Sequence, residues 1–448
     1  MPEAVAMTQP PRHHFFGFHD LIEWNAAGDK LLALQVEDIS HPPYPGEAAT
    51  VGYVATETRA FVPLGVTTAF NYPQGARQQW LGEGDRFVVN DRVGEGWGAR
   101  IYEAAAGRPV AELGHPVHCH SARTGDAFGL NYARLHRLGG YGYVGLPDPW
   151  ADDPAPEADG IVKHNLRTGQ AELLVSLRAV AAHDAGAPLA SGAHHYVTHL
   201  LLNPAHTRLA FLHRHSLPDG GDMTRLMTIG TGGEGLRCLA RGFLSHFDWL
   251  DDESVMIWGR RDERVAALRS NPLLAHPLLG GALRLAKGVA RGLLKRRVAA
   301  GMSFLVATDQ PGAPTRPFAV GVLTEDGHPM FCPADRDWCV NDTYPSAEGV
   351  RTLMLYQVSR NRRVDLGRYA MLAAEPDVAE LGRAYDSLAP SVRRRFPPSL
   401  YAFTRSGLHC DLHPRWDAPG TRVAFDSIHE GTRQIYALDV RSHLRGGR

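Results

Sequence analysis

A short pattern recurs along the chain, and it constrains the fold more than any other feature. Each copy starts at an apolar or small residue, passes through a polar turn containing Gly or Asp, and continues as an alternating apolar strand. Most copies are followed by a second apolar strand and another turn. The seven copies begin at Trp24, Trp80, Ser121, Leu202, Trp249, Cys332 and Trp416. Strand, turn and strand repeated in this way is typical of propeller blades, so the sequence predicts an all-β fold, a seven-bladed β-propeller.

The seventh copy is the most informative. WDAPGTRVAFDS, from Trp416, predicts a turn and a strand, and TRQIYALDV, ending at Val440, predicts the next strand. Potential metal ligands stand directly before this copy: His409, Cys410, Asp411 and His413.

Three regions lie outside the repeats. Residues 1–12 show no pattern and are predicted to form a flexible arm, so the propeller is expected to span 13–448. FFGFHD, from Phe15 to Asp20, leads into the first copy, and Ile435 to Val440 is the expected partner that closes the fold. A helix is predicted between Asp377 and Leu400, interrupted by Pro390 and lying across one mouth of the propeller.

Residues 262–304 are predicted to be a helical insertion in the fifth blade. Apolar residues recur at helical spacing from Leu278 to Val298, with Arg and Lys alongside them, and no acidic residue occurs between Glu263 and Asp309. Such a basic amphipathic helix either packs on its own domain or makes peripheral contact with an anionic membrane surface, here through 273–300.

The amino-acid composition argues against several classes of protein. Lys and Arg total 47 against 48 Asp and Glu, so no global basic field favours nucleic acid, and no nucleic-acid partner is predicted. Five scattered cysteines do not make a disulfide framework. Neither a signal peptide nor an apolar stretch of about 20 residues is visible, so a cytoplasmic protein is expected.

Two segments carry groups suited to anion binding or proton transfer. NYARLHRLGGYGY brings together Arg134, His136 and Tyr141, although a solvated basic turn is an alternative. In the fourth repeat, an extended strand would place His195 and His199 on one face, with Arg214 nearby on the following strand. For any one of these histidines, a hydrogen-bonded core role is the alternative.

A metal site is predicted from the positions before three repeats. His246 and His413 each precede their repeat Trp by three residues, and equivalent positions in blades lie at equivalent radius. His328 precedes the sixth repeat by four residues, and Cys410 completes the predicted set, with Cys332 or Asp411 as substitutes. Zinc is the favoured ion, and manganese and calcium are alternatives. Buried side chains satisfied by backbone groups would explain the same residues without a metal.

The chain resembles the propeller-fold polysaccharide lyases, the group of oligogalacturonate and ulvan lyases. THLLLNPAHTRLAFLHR, SHFDW, VNDTYP and DLHPRWDAPGTRVAFDSIHEGTRQIYALDV carry the resemblance, which covers the chain from about residue 14 except 262–304. It implies β-elimination on a uronate sugar, with His199 as the catalytic base and His246 and His413 as metal ligands. The chain departs from the oligogalacturonate pattern just before His413, where Leu408 to Asp411 stand in place of further His and Gln ligands.

Two functions follow from these observations. The first is a lyase acting on a uronate-containing oligosaccharide or polysaccharide. Arg134 and Arg214 would clamp the carboxylate, His199 or His136 would be the base, and Tyr141 would protonate the leaving oxygen. The second is a non-catalytic propeller that binds glycans or proteins during cell-surface polysaccharide production, associated with the membrane through 273–300.

Overall fold

A computed structural model describes residues 3–184, 192–216, 222–261, 301–379 and 381–445. Over these residues the chain is mostly β, with few helices and with antiparallel sheets of four to seven strands, as in a propeller-like fold. The chain divides into two compact units. The first comprises Met1–Pro149, Lys163–Ala171 and Gly327–Arg448, and the second comprises Trp150–Val162 and Glu172–Asp326.

The N-terminal segment supplies a strand of the last sheet. β1 (Val5–Ala6) pairs with the final strand of the chain, Val5 facing Ala437 and Ala6 facing Tyr436. Residues 3–12 are therefore tied down in part, instead of forming the flexible arm expected from their composition. The expected pairing of the chain's two ends is present, but Val5 and Ala6 make it instead of the FFGFHD segment.

The strands follow the repeats in regular order. The first sheet contains β2 (His13–Phe15), β3 (Lys30–Val36), β4 (Ala49–Ala55) and β5 (Ala60–Thr67). The second contains β6 (Gln79–Trp80), β7 (Arg86–Val93), β8 (Gly96–Glu103) and β9 (Arg108–Leu113). The third contains β10 (Cys119–Ser121), β11 (Asp126–Gly129), β12 (Gly160–Asn165) and β13 (Ala171–Ser176).

A seven-stranded sheet forms most of the second unit. Its strands are β14 (His195–Leu202), β15 (Arg208–Ser216), β16 (Asp222–Gly230), β17 (Arg237–Trp249), β18 (Ser254–Arg261), β19 (Ser303–Thr308) and β20 (Arg316–Pro317). At 13 residues, β17 is long enough to pair with β16 through its first part and with β18 through most of its length.

Two more sheets complete the first unit. One contains β21 (Met330–Phe331), β22 (Trp338–Asp342), β23 (Val350–Gln357) and β24 (Arg362–Ala370). The other contains β25 (Arg415–Trp416), β26 (Arg422–Ser427) and β27 (Gln434–Asp439), with β1 at its edge. The two strands predicted in the seventh copy are thus confirmed as β26 and β27.

Local turn chemistry explains why the repeats fold as hairpins. The residue after the first position of a copy accepts backbone N–H groups four and five residues later. Asn25 Oδ1 lies 3.1 Å from the nitrogens of Asp29 and Lys30, and Asp417 Oδ1 lies 2.7 and 2.9 Å from those of Thr421 and Arg422. These hydrogen bonds provide acceptors for the backbone N–H groups of the turn before the next strand begins. Each such copy therefore specifies its own hairpin.

The repeat tryptophans link consecutive repeats. Trp80 Nε1 donates to the carbonyl of Glu23 at 2.7 Å, and Trp416 Nε1 donates to that of Met330 at 3.0 Å. In the second unit, Trp249 Nε1 donates to the carbonyl of Leu201 at 3.0 Å. Each of these three indoles is buried, and its N–H reaches a backbone carbonyl one or two residues before the preceding copy begins. The repeat Trp therefore fixes the spacing of neighbouring strands as well as filling the core.

The helices in the described ranges are short, and they lie in connections between strands or, in the last case, after the final strand. They are α1 (Tyr132–Gly139), α2 (Leu177–Ala182), α3 (Gly382–Asp386), α4 (Pro390–Arg395), α5 (Pro398–Arg405) and α6 (Arg441–Arg445), with a 3-10 turn at Ala104–Ala106. Pro390 and Pro398 each occupy the first position of a helix, where their missing N–H costs nothing. The helix predicted between Asp377 and Leu400 is therefore three short ones, and Pro390, which was expected to interrupt it, begins the second of them.

The predicted basic insertion falls almost entirely outside the described residues, which resume at 301; β19 begins at Ser303, one residue before the predicted end of the insertion. None of the helices in the described ranges has the length and apolar composition that a membrane span requires.

Candidate metal centre

Alternation along the segment from His409 to His413 sorts its side chains onto two sides. Cys410 and Leu412 are buried in apolar clusters, Cys410 beside residues such as Ile39 and Leu408. Asp411, between them, instead contacts the histidines, with Oδ2 3.4 Å from His409 Nε2 and 3.9 Å from His413 Nε2. Burial raises the pKa of the Cys410 thiol to about 12, and the thiol is absent from both groups of potential ligands in the described residues. Asp411, named above only as a substitute, takes the place predicted for Cys410.

His328, Asp411 and His413 form a cluster in the first unit. One potential ligand atom from each side chain lies within 4.8 Å of the other two. The rings of His328 and His413 are 4.3 Å apart between centroids, and His413 Nε2 lies 3.9 Å from Asp411 Oδ2. Both histidines are buried. Two imidazoles and one carboxylate are a donor set suited to a divalent ion.

Asp342 orients both histidines of the cluster. His328 Nδ1 lies 2.8 and 3.0 Å from the two carboxylate oxygens of Asp342, and the His328 backbone N–H donates to Oδ1 at 2.8 Å. The backbone N–H of His413 donates to Oδ2 at 3.3 Å. Because a carboxylate accepts, His328 carries its hydrogen on Nδ1, and in the neutral form of the ring Nε2 then carries the lone pair.

The ring of His413 is oriented in the same way by a backbone carbonyl. His413 Nδ1 donates to Gly17 O at 2.8 Å, which leaves Nε2 as the acceptor atom. Burial, then the neighbouring His328, lowers the pKa of His413 well below its usual value, so the ring is neutral. Its backbone has φ of +43°, a left-handed conformation that costs a non-glycine residue about 1–2 kcal/mol. Such strain is concentrated at functional positions.

Charge at the cluster is balanced by one arginine. Arg351 Nη1 lies 2.7 Å from Asp411 Oδ1. Burial raises the pKa of Asp411, but the charges of Arg351 and His409 outweigh that effect and hold it well below its usual value. His409 Nε2 lies 3.4 Å from Asp411 Oδ2. The carboxylate is therefore ionised, with one oxygen toward the arginine and the other toward the histidines.

Aromatic residues from the FFGFHD segment line the same cluster. The ring of His19 lies 5.5 Å from that of His328 and 6.1 Å from that of His413, and Phe18 lies 5.2 Å from His413. His19 did not enter the predicted metal set. The signal was its place just before the first repeat, as His246 and His413 precede theirs, but its offset from Trp24 is five residues instead of three.

A second cluster lies in the second unit, and its central histidine has no ring nitrogen available as a metal ligand. His195, His213 and His215 each place a ring nitrogen within 4.8 Å of the others, and all three are buried. Arg225 Nε donates to His213 Nδ1 at 3.0 Å, so the neutral ring carries its hydrogen on Nε2. That atom lies 3.0 Å from His195 Nδ1, to which it donates. His213 thus offers no lone pair to an ion.

Strand register explains this second cluster. His195 faces His215 across β14 and β15, and His213 faces Arg225 across β15 and β16. Burial, followed by the charge of Arg225, lowers the pKa of His213 well below its usual value, which keeps the ring neutral. Arg225 also donates to the carbonyls of His183 and Val180 at the end of α2. The arrangement is a hydrogen-bonded ladder that holds the helix to the sheet.

The groups predicted in the NYARLHR segment are engaged in structural contacts. Arg134 is buried, and its Nη1 lies 3.2 Å from Asp148 Oδ2, which Arg137 also binds at 2.8 Å. The carboxylate of Asp148 therefore occupies the Arg134 guanidinium that was predicted to bind the carboxylate of a substrate. His136 Nε2 lies 3.1 Å from Ala384 O and 2.9 Å from Ser387 Oγ, and burial lowers the pKa of its ring to about 4.

Tyr141 follows α1, after Gly140 ends the helix with φ of +77°. The carbonyl of Tyr141 accepts a bond from Asn71 Nδ2 at 3.0 Å. The Arg405 guanidinium carbon lies 5.7 Å from the centroid of its ring. The segment is helical over Tyr132–Gly139 and irregular beyond, as its glycines require.

His195 and His199 do not follow the alternation predicted for them. The register of β14 shifts between Thr198 and Leu201, and His199 has φ of +58° within this bulge. His199 is partly buried, and its Nδ1 lies 2.9 Å from Thr198 Oγ1. Arg214 lies between His213 and His215 on β15, so its side chain points away from theirs. His199 is not among the histidines that group with His195 in the described residues.

His246 belongs to the second unit, in β17. Its Nδ1 lies 3.0 Å from Oδ1 of Asp326, and its ring is partly buried. Neither histidine cluster of the described residues includes it. Of the four predicted metal ligands, the structure thus brings together His328 and His413.

The sequence matches no protein-family model and no curated protein. Among solved structures, an oligogalacturonate lyase from Vibrio parahaemolyticus is similar over 99% of this chain and 94% of that chain, with 11% identity and a TM-score of 0.58. This chain shares the fold of that lyase. The resemblance to the propeller-fold lyases is therefore confirmed at the level of the fold, which by itself does not fix an activity.

Weaker similarities extend to other proteins. An oligogalacturonate lyase in complex with manganese matches over 99% of this chain and 94% of that chain, with 12% identity and a TM-score of 0.41. The tricorn protease matches over 97% of this chain and 34% of that chain, with 11% identity and a TM-score of 0.47. Both scores are too low to carry an argument about this chain.

Proposed function

We propose that the protein is a metal-dependent lyase that cleaves a uronate-containing oligosaccharide or polysaccharide by β-elimination. The observation that carries the proposal is the cluster of His328, Asp411 and His413. Each histidine directs Nδ1 at a fixed acceptor, and a ligand atom of each ring lies within 4.8 Å of an ionised carboxylate, which is an arrangement suited to holding an ion. The proposed architecture is a seven-bladed propeller in which β17 is shared by two blades, with the insertion in the fifth.

The donor set fits a divalent ion. Imidazole nitrogens and one carboxylate suit zinc best, and they also accept manganese, while calcium prefers sites built from oxygen alone. The proposed ligands are His328 Nε2, Asp411 and His413 Nε2. An ion held there would supply positive charge beside the substrate carboxylate and so make the neighbouring C–H more acidic.

Elimination also needs a base and a proton donor. The base takes the proton from C5 of the uronate, the electron pair of that bond forms the C4=C5 double bond, and the C4–O bond breaks as its oxygen takes a proton. We assign the base to His199 on the basis of the lyase resemblance. Its left-handed backbone within a bulge of β14 supports that role, because proteins retain such strain mainly where a side chain must be aimed.

Tyr141 is the proposed donor to the leaving oxygen, and Arg214 is a proposed contact to the substrate. Arg134 and His136 are left out of this mechanism because Asp148, Ala384 and Ser387 already engage them. The same reasoning leaves out His195, whose ring nitrogen accepts a hydrogen bond within the histidine ladder.

The test is ultraviolet absorbance of the purified, metal-analysed protein mixed with a panel of uronate polysaccharides and oligosaccharides. Elimination creates an unsaturated uronate that absorbs, so a rise that is lost in Asp411→Asn supports the lyase. Silence across the panel by folded protein with one bound ion would falsify it and favour a glycan-binding propeller. The matched control is His213→Ala, which removes a histidine of the second cluster and should leave the rise in place.

A further inference from the structure

Arg351 has hydrogen-bonding capacity that its own chain does not use. It lies on β23 with an exposed fraction of 1%. Nη1 contacts Asp411 Oδ1 at 2.7 Å and the carbonyl of Thr343 at 3.4 Å. Nε and Nη2 are buried and bind no acceptor in the part of the chain that the structure describes. Burying charged N–H donors without acceptors is costly, so a position like this favours a ligand that supplies them.

The unused donors lie on one edge of the guanidinium. The Nε–H and one N–H of Nη2 point in the same direction and are spaced to match the two oxygens of a carboxylate. A lysine would offer a point charge without this paired geometry. The edge therefore selects a planar anion with two oxygens over a neutral hydroxyl or a single-point acceptor.

Tyr344 covers both the arginine and the histidine cluster. Its ring centroid lies 5.8 Å from the guanidinium carbon of Arg351 and 5.5 Å from the ring of His328. The side chain of Tyr344 is 38% exposed, whereas Arg351 and His328 are buried. Because this exposed ring packs on the guanidinium, it is the group that would have to move for a ligand to reach the buried arginine.

We propose that the Nε and Nη2 edge of Arg351 binds the carboxylate of the sugar acid, with Tyr344 moving aside to admit it. The inference rests on the proposed function and names its charge-selecting residue. Arg351 takes the role that the sequence suggested for Arg134, whose guanidinium is occupied by Asp148. The ligand class is a uronate with a free carboxylate, and the methyl ester of the same sugar is excluded because it is neutral and lacks two equivalent anionic oxygens.

The experiment measures binding by calorimetry, with no turnover required. The ligands are the disaccharides of galacturonate and glucuronate and their methyl esters. The proteins are the wild type, Arg351→Lys, and Arg368→Lys as an exposed arginine control on the neighbouring strand. Arg351→Lys keeps a positive charge beside Asp411 but lacks the paired edge. The wild type and the control should bind at least one free acid about tenfold or more tightly than its ester, and Arg351→Lys should lose that preference.

Two results would overturn the inference. One is equal binding of acid and ester by the wild type, including no binding of either. The other is a preference that survives in Arg351→Lys, which would limit Arg351 to holding Asp411. Metal content is measured in the same samples, and an unchanged content in Arg351→Lys shows that the cluster is intact. If Arg351→Lys instead loses its ion, Tyr344→Ala is used in its place. A variant that keeps the preference for the acid and associates with it faster supports the inference. An unchanged association rate contradicts it.

These outcomes separate the inference from the lyase itself. Loss of acid preference without any elimination by the wild type would support the carboxylate site and contradict the lyase. Elimination with unchanged kcat/KM in Arg351→Lys would support the lyase and contradict the carboxylate site.

Discussion

Asp342 Oδ1 lies 2.8 Å from His328 Nδ1, and the other oxygen of the same buried carboxylate accepts the backbone N–H of His413. One side chain at the end of β22 thus sets the orientation of two proposed ligands that are 85 residues apart in sequence. Carboxylates in this position behind a metal-binding histidine fix the ring and increase its basicity.

Replacing Asp342 by Asn should weaken metal binding about 10- to 100-fold, because one carboxylate oxygen becomes an NH2 group that cannot accept. Titration of zinc and manganese against a competing chelator measures the affinity. Asp365→Asn, at an exposed aspartate of β24, is the control and should bind like the wild type. An unchanged metal affinity in Asp342→Asn would contradict the role of Asp342 in orienting the ligands.

The proposed metal ligands can be tested by measuring the metal content of purified variants. His328→Ala, Asp411→Asn and His413→Ala should each lose the bound ion, and Cys410→Ser should retain it because that thiol lies in the apolar core. Ion at 100 times its dissociation constant should stabilise the wild type by about 2.7 kcal/mol, which none of the three ligand variants should show. Loss of the ion in His213→Ala but not in His328→Ala would instead move the site to the histidine ladder.

His199 can be tested without altering its backbone. Asn tolerates the left-handed conformation, so His199→Asn removes the imidazole while preserving the bulge. We expect elimination to fall about 100-fold or more with metal content unchanged. His206→Asn is matched, because His206 also has φ of +58° but lies in a hairpin turn. Full activity in His199→Asn would assign the base elsewhere.

The hairpins were predictable because their chemistry is local. Asn25 and Asp417 each close a turn by accepting hydrogen bonds from backbone N–H groups only four and five residues away. The Trp that begins several copies is likewise visible in the sequence as a recurring residue. The pairing of Val5 and Ala6 with the last strand was not predicted, since two residues carry too little pattern to distinguish a strand from an arm.

The site was predictable only in part, for reasons seen in single residues. Ligand chemistry favoured Cys410, but its side chain is buried in an apolar cluster, and Asp411 is the residue that lies beside the histidines. Arg351 and Asp342 lie on other strands and reach the cluster through tertiary packing, which no spacing in the sequence reveals. The pairing of Arg134 with Asp148 was hidden for the same reason, although only 14 residues separate them.

His136 gives a prediction about acid stability. Burial lowers the pKa of its ring from 6.5 to about 4 in the folded protein, while the unfolded chain titrates near the ordinary value. Between these two values the unfolded state binds a proton that the folded state does not, so acidification favours unfolding. The contribution is fully present above pH 6.5 and is lost as the pH falls toward 4, at most about 3 kcal/mol.

His136→Gln removes this titration and can still donate an N–H to Ala384 O, the acceptor that the ring contacts at 3.1 Å. Urea unfolding at several values between pH 7.5 and 4.5 should therefore show a shallower loss of unfolding free energy in the variant. His443→Gln, at a partly exposed histidine of α6, should keep the slope of the wild type. Parallel curves for wild type and His136→Gln would mean that the ring is already protonated in the fold, contrary to the direction that its burial imposes.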